Sequence, residues 1–159
     1  MFLSSYISDV REIRVVVIRD RRGRVNAQAI ERPEDAFKLL ANKAKGLDRE
    51  HFWAVHLTAR SMPIALETVS IGTLSASLVH PREFFKAAIV AGAAALICAH
   101  NHPSGNMEPS PEDLSATRRL VSVGELVGIP PRALTKTDPP SLMENEPVVA
   151  AGFSAADGA

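Results

Sequence analysis

A single cysteine, Cys98, is the whole thiol complement of these 159 residues. No internal disulfide can form, a cysteine-rich structural zinc site is excluded, and the count fits a reducing compartment. Neither sign of charge is in excess: 18 Lys and Arg balance 18 Asp and Glu, so net charge points to neither a nucleic-acid nor an acidic ligand. The distribution is less even, with 12 basic against 8 acidic groups in residues 1–60 and 6 against 10 in residues 61–159. A weakly basic amino-terminal half is compatible with weak DNA association and equally with an ordinary solvated surface. Long apolar runs are also missing. The longest, "AAIVAGAAALICA" from Ala87 to Ala99, is too short to span a bilayer. The opening "MFLSSYISDVREIR" has no basic leader followed by an apolar stretch and does not read as a signal peptide. A cytoplasmic protein without a membrane partner is expected.

The chain does have enough apolar content for one domain with a core, at 46% hydrophobic and 23% charged residues. "IRVVVI" (Ile13 to Ile18), the turn "DRRGR" and "VNAQAI" read as a strand, a tight turn and a return strand. "RPEDAFKLLANKAKG" reads as a helix, with Pro33, Glu34 and Asp35 suited to its first turn and Gly46 to its stop. "HFWAVHLTA" (His51 to Ala59) and "IALETVSIGT" (Ile64 to Thr73) read as antiparallel strands joined across "RSMP". A second helix opens at Pro81 and stops at Gly92. "AALICAH" is wholly apolar until its last residue, as expected of a strand buried in the middle of a sheet. "SPEDLSATRRLVSVGELVG" reads as a third helix, with Ser110 as N-cap and Pro111 at the first helical position. The sum is an α/β (α+β) domain over residues 1–129, with helices flanking a central mixed sheet. From Pro130 onward the pattern changes: five of eleven prolines fall in the last thirty residues. Residues 130–159 are expected to be an irregular tail with one short strand at "PVVAA".

The densest chemistry lies in "AHNHPSGNMEPSPED", Ala99 to Asp113. His100 and His102 are two apart at a strand end, so their side chains leave the same face. Neutral imidazoles placed this way bind one zinc ion at about 2.0–2.1 Å. The Pro-Ser-Gly turn lets the chain fold back, which brings Asp113, in the first turn of the next helix, within reach as a third ligand. Three protein ligands leave one zinc position for water, the arrangement of a catalytic site, where zinc lowers the pKa of its water to about 7. Such a site needs a general base, for which Glu50 is the candidate, standing between the first helix and the next strand. Ser110 is the candidate hydrogen-bond donor to a developing oxyanion.

The pattern His100-x-His102, seven residues, Ser110, two residues, Asp113, with an upstream glutamate, resembles the JAB1/MPN (JAMM) metalloenzyme signature. The fuller string "HNHPSG...PS..D", preceded by "IGT.....VHPREFFKAAI...AAALICA", resembles its RadC-type branch, often called DNA repair protein RadC. The likeness runs from Pro33 to Ile129. It implies the JAB1/MPN (cytidine deaminase-like) architecture, one Zn2+ held by His100, His102 and Asp113, Glu50 as base, Ser110 as oxyanion helper, and hydrolysis of a peptide or isopeptide bond in a peptide or protein substrate. Two departures stand out. RadC-like chains often carry an amino-terminal helix-hairpin-helix region, whereas here a strand comes almost at once. After the third helix the family continues with Leu-Asp-His and apolar strand residues, for which "GIPPRALTKTDPPSLMENE" has no counterpart, so the last strands are expected to be missing or replaced.

Other readings compete for the same residues. Two histidines and an aspartate in a polar loop need bind nothing. The letters "HNH" suggest a nuclease, but such enzymes scatter those residues over a ββα unit, and a zinc deaminase would need a Pro-Cys-x-x-Cys partner that is absent. Glu50 also reads as a solvated helix-end charge and Ser110 as an N-cap alone. Asn101, facing away from the histidines, reads as structural, and Cys98 as a small buried hydrophobe. His51, His56 and His80 have no neighbours at metal-ligand spacing, and Phe52 and Trp53 read as packing. The alternative to an enzyme is a non-catalytic zinc-containing module acting in DNA repair or recombination through DNA or protein partners.

Overall fold

The structure, a computed structural model, describes residues 14–16, 28–72, 79–103, 110–132 and 152–153. Its elements in chain order are α1 (Pro33–Ala44), β1 (Glu50–Leu57), β2 (Pro63–Gly72), α2 (Pro81–Ala91), β3 (Ala95–Asn101), α3 (Pro111–Val127), β4 (Pro131–Arg132) and β5 (Gly152–Phe153). The sheet runs β2-β1-β3-β4, and β5 also pairs with β3. β1 is antiparallel to both β2 and β3, whereas β4 and β5 lie parallel to β3, so the sheet is mixed.

β1 and β3 are apolar on both faces because helices cover both. Trp53, Val55 and Leu57 join Ala95, Ile97 and Ala99 against Ile30, Ala36 and Leu40 from and around α1. The alternate residues Phe52, Ala54, Leu96 and Cys98 pack with Phe84, Phe85 and Ala88 of α2 and Leu120 of α3. This period-2 division places α1 on one face and α2 and α3 on the other. Each large side chain buried this way contributes about 1.5–3 kcal/mol. Gly92 and Gly128 end α2 and α3 at φ 66° and 72°, in the left-handed region where a Cβ is strained.

The strand expected at residues 13–18 has no counterpart in its described part. Residues 14–16 carry no regular structure, and Val15 and Val16 are 66% and 71% exposed. A β-branched run alone does not make a strand without a partner to bury it. Residues 28–30 of "VNAQAI" likewise carry no regular structure, while its first half and all of "PVVAA" lie outside the described residues. Within the segment expected to be irregular, residues 131–132 and 152–153 pair with β3 at Leu96–Ile97 and His100–Asn101. β1 occupies one edge of β3, so these short pieces satisfy backbone groups along its other edge, which a buried strand cannot leave unpaired.

Candidate metal centre

β3 is apolar from Ala95 to Ala99 and turns polar at its carboxyl end, at His100 and Asn101. There His100 falls on the α2/α3 face, the side on which α3 begins. The first turn of α3 is fixed by a reciprocal capping box. The Asp113 N–H donates to Ser110 Oγ at 3.2 Å, and Asp113 Oδ2 accepts from the Ser110 N–H at 2.8 Å. The Ser110 hydroxyl also donates to Oδ2, at 2.7 Å. Asp113 is thereby held with its carboxylate turned toward β3. Oδ1 lies 3.7 Å from His100 Nε2 and Oδ2 4.0 Å from His102 Nε2, while the two Nε2 atoms are 2.6 Å apart. One donor atom from each of the three residues lies within 4.8 Å of the others.

The surroundings are dry: His100 and Asp113 are 4% and 5% exposed. Burial pushes the His100 imidazole down to about 4, Asp113 opposing and His102 adding to the shift. At neutral pH the ring is therefore uncharged. Its approach to Asp113 is therefore not an ion pair. His100 Nδ1 has no hydrogen-bond partner among the described residues. Two imidazole nitrogens and a carboxylate oxygen, converging and shielded from water, form a donor set that a divalent cation fits. Two imidazoles and one carboxylate are zinc-type ligands, and three of them leave a coordination position open.

Glu50 is the first residue of β1 and is half-buried. It is not one of the converging donors. Phe52 pairs with His100 across the ladder. Glu50 stands two residues before Phe52 in β1, so it falls on the face of the sheet that Phe52 and His100 share. Asn101 faces the other way, and its carboxamide bonds the β1 backbone at Arg49 and His51. Sequence reasoning placed Asn101 and Phe52 as structural, without their partners. An amide standing between two candidate ligands is the one local signal for the first. For the stacking of Phe52 on His100 no local signal exists, because it depends on which strands pair.

Residues 30–132 match the RadC-like JAB domain family. Over 97 residues the chain is 54% identical to a UPF0758 protein of Desulforudis audaxviator, covering 61% of this chain and 42% of that one. It is 49% identical over 100 residues to one of Shouchella clausii, covering 63% and 44%, and 52% identical over 97 residues to one of Desulforamulus reducens, covering 61% and 43%. The chain thus spans less than half the length of these relatives. With its family match over most of the described fold, the chain belongs to the RadC-like JAB domain family.

Proposed function

We propose that this chain binds one zinc ion through His100, His102 and Asp113 and hydrolyses a peptide or isopeptide bond in a peptide or protein substrate. The convergence of those three donor atoms within 4.8 Å is the observation that carries the proposal. When bound, zinc supplies a Lewis acid and lowers the pKa of water toward about 7. Glu50 then acts as the base: its carboxylate takes the proton from the attacking water and returns it to the leaving amine. Ser110 has two duties. Its N–H keeps hold of Asp113 Oδ2 even when the hydroxyl turns away, so the hydroxyl is free to donate to the carbonyl oxygen as charge develops there.

The test is incubation of the zinc-loaded protein with a library of peptides and isopeptide-linked peptides. Cleavage is expected, removed by a chelator and reduced at least about 100-fold by Glu50→Gln. A folded, zinc-loaded protein that cleaves nothing, or cleavage untouched by Glu50→Gln, contradicts the proposal.

A further inference from the structure

Asn101 lies between the two histidines in sequence, at the last position of β3. It is 2% exposed, and both ends of its carboxamide are committed. Oδ1 accepts from the His51 N–H at 2.7 Å, and Nδ2 donates to the Arg49 carbonyl at 2.9 Å. Those two backbone groups flank Glu50. In an extended strand, the carbonyl of one residue and the N–H two residues on point to the same neighbour, while the residue between points its own groups to the opposite one. Glu50 is paired with Gly72 of β2 on that opposite side. On the β3 side the regular ladder stops at the Phe52–His100 pair. The Asn101 carboxamide therefore supplies both the acceptor and the donor that a continued ladder would have drawn from two successive peptides of β3.

We infer that Asn101 is a positioning residue that clamps the backbone on both sides of Glu50 and so holds the Glu50 carboxylate over the metal centre. The inference rests on the reading of Glu50 as the base. It explains why an amide suits this place. Aspartate offers only acceptors and sets an anion against the Arg49 carbonyl, leucine keeps the shape but bonds neither group, and burial keeps water from substituting. With the clamp gone, the end of β1 stays tied to β2 alone and Glu50 swings with it. The ligands on β3 and α3 stay where they are.

The experiment uses Co2+ in place of spectroscopically silent zinc, with the d–d absorption of the one-equivalent complex as readout. It compares wild type, Glu50→Gln, Asn101→Leu and the double variant. Expected are one metal per chain throughout, an altered band in Glu50→Gln, the same alteration in Asn101→Leu, and no further change in the double variant. If Glu50→Gln leaves the band unaltered, Glu50 is not at the metal, and both the base assignment and the clamp fall. If Glu50→Gln alters the band and Asn101→Leu does not, the clamp alone is overturned. If the two changes add, Asn101 acts through the ligands rather than through Glu50, which also overturns it. Should Asn101→Leu fail to fold, amide hydrogen exchange in the wild type decides. The His51 N–H is expected to exchange at least about 100-fold more slowly than in an unstructured chain, and exchange at the unstructured rate refutes the clamp.

Discussion

Phe52 lies across the β1–β3 ladder from His100, with its ring 6° from parallel to the imidazole and the centroids 6.1 Å apart. It also meets Phe84 of α2 in a T-shaped contact, with centroids 6.0 Å apart. One side chain thus backs a metal-type ligand and anchors the helix layer behind it. The same contact helps keep His100 dry and uncharged, the state in which one ring nitrogen offers a lone pair.

Phe52→Ala is expected to cost about 3–5 kcal/mol, because a 6%-exposed aromatic leaves a cavity. Phe52→Leu fills most of that space but cannot stack. It is expected to cost about 1 kcal/mol in denaturant unfolding of the apo-protein while weakening zinc binding. Equal zinc affinity in wild type and Phe52→Leu would show that the stacked ring does nothing for His100.

Ser110→Ala removes the cap that also fixes the Asp113 carboxylate. It is expected to cost about 1 kcal/mol of stability. Zinc affinity should fall about 10–100-fold, as for other groups that orient a ligand. Ser110→Thr keeps the hydroxyl and should restore most of both. Chelator competition separates these outcomes.

A second polar pair, a buried histidine and a half-buried glutamate, lies away from the metal centre. His56 Nε2 and Glu67 Oε2 are 3.5 Å apart, and neither has a hydrogen-bond partner among the described residues. An ion pair would raise the histidine and lower the glutamate, yet the shifts run the other way. Burial lowers His56 below the usual histidine value of 6.5 and raises Glu67 above the usual 4.5, Lys86 opposing the latter and Glu83 adding to it. For His56 the unfolded chain binds more protons than the fold once pH drops below about 6.5. Stability from this group is therefore lost as pH falls from 6.5 through the lowered folded value. For Glu67 the fold binds more protons just above 4.5, so stability is lost as pH rises from there through the raised value. Glu67→Gln removes that loss and is expected to raise Tm at pH 7. His56→Leu should flatten the decline below pH 6.5. Unchanged Tm–pH curves in both variants would contradict the assignment.

Gly124 sits in α3 where the chain after the helix doubles back. A Cβ there would lie 2.3 Å from Pro131 Cδ and 2.9 Å from the Ile129 carbonyl oxygen. Helix propensity favours alanine by about 1 kcal/mol. The clash with ring and backbone outweighs it, because relief requires moving β4 off β3. Gly124→Ala is expected to lower stability by about 1–3 kcal/mol, and a rise in Tm would show that β4 yields freely.

Much of this was legible in the sequence, for reasons that are local. Pro81 and Gly92, or Ser110, Pro111 and Gly128, mark helix ends through φ preferences and capping that need no tertiary partner. His100, His102 and Asp113 were legible because a strand end, a turn and a helix start bring them together within fourteen residues. What stayed hidden depends on strand pairing. The bonds from Asn101 to Arg49 and His51 bridge about fifty residues, and the approach of His56 to Glu67 requires β1 and β2 in one register. Alternation tells which face a residue takes but not what it meets there. The two-residue strands β4 and β5 carry no periodicity at all, and only the open edge of β3 calls for them.

The central claim is that His100, His102 and Asp113 form a zinc site with an open coordination position. Elemental analysis of zinc per chain, in the wild type and in His102→Ala and Asp113→Ala, tests it most directly. About one zinc per folded chain is predicted for the wild type, lost in both variants while their circular dichroism stays that of a folded protein. A folded wild type that takes up no zinc, or full zinc content in either variant, would contradict the site.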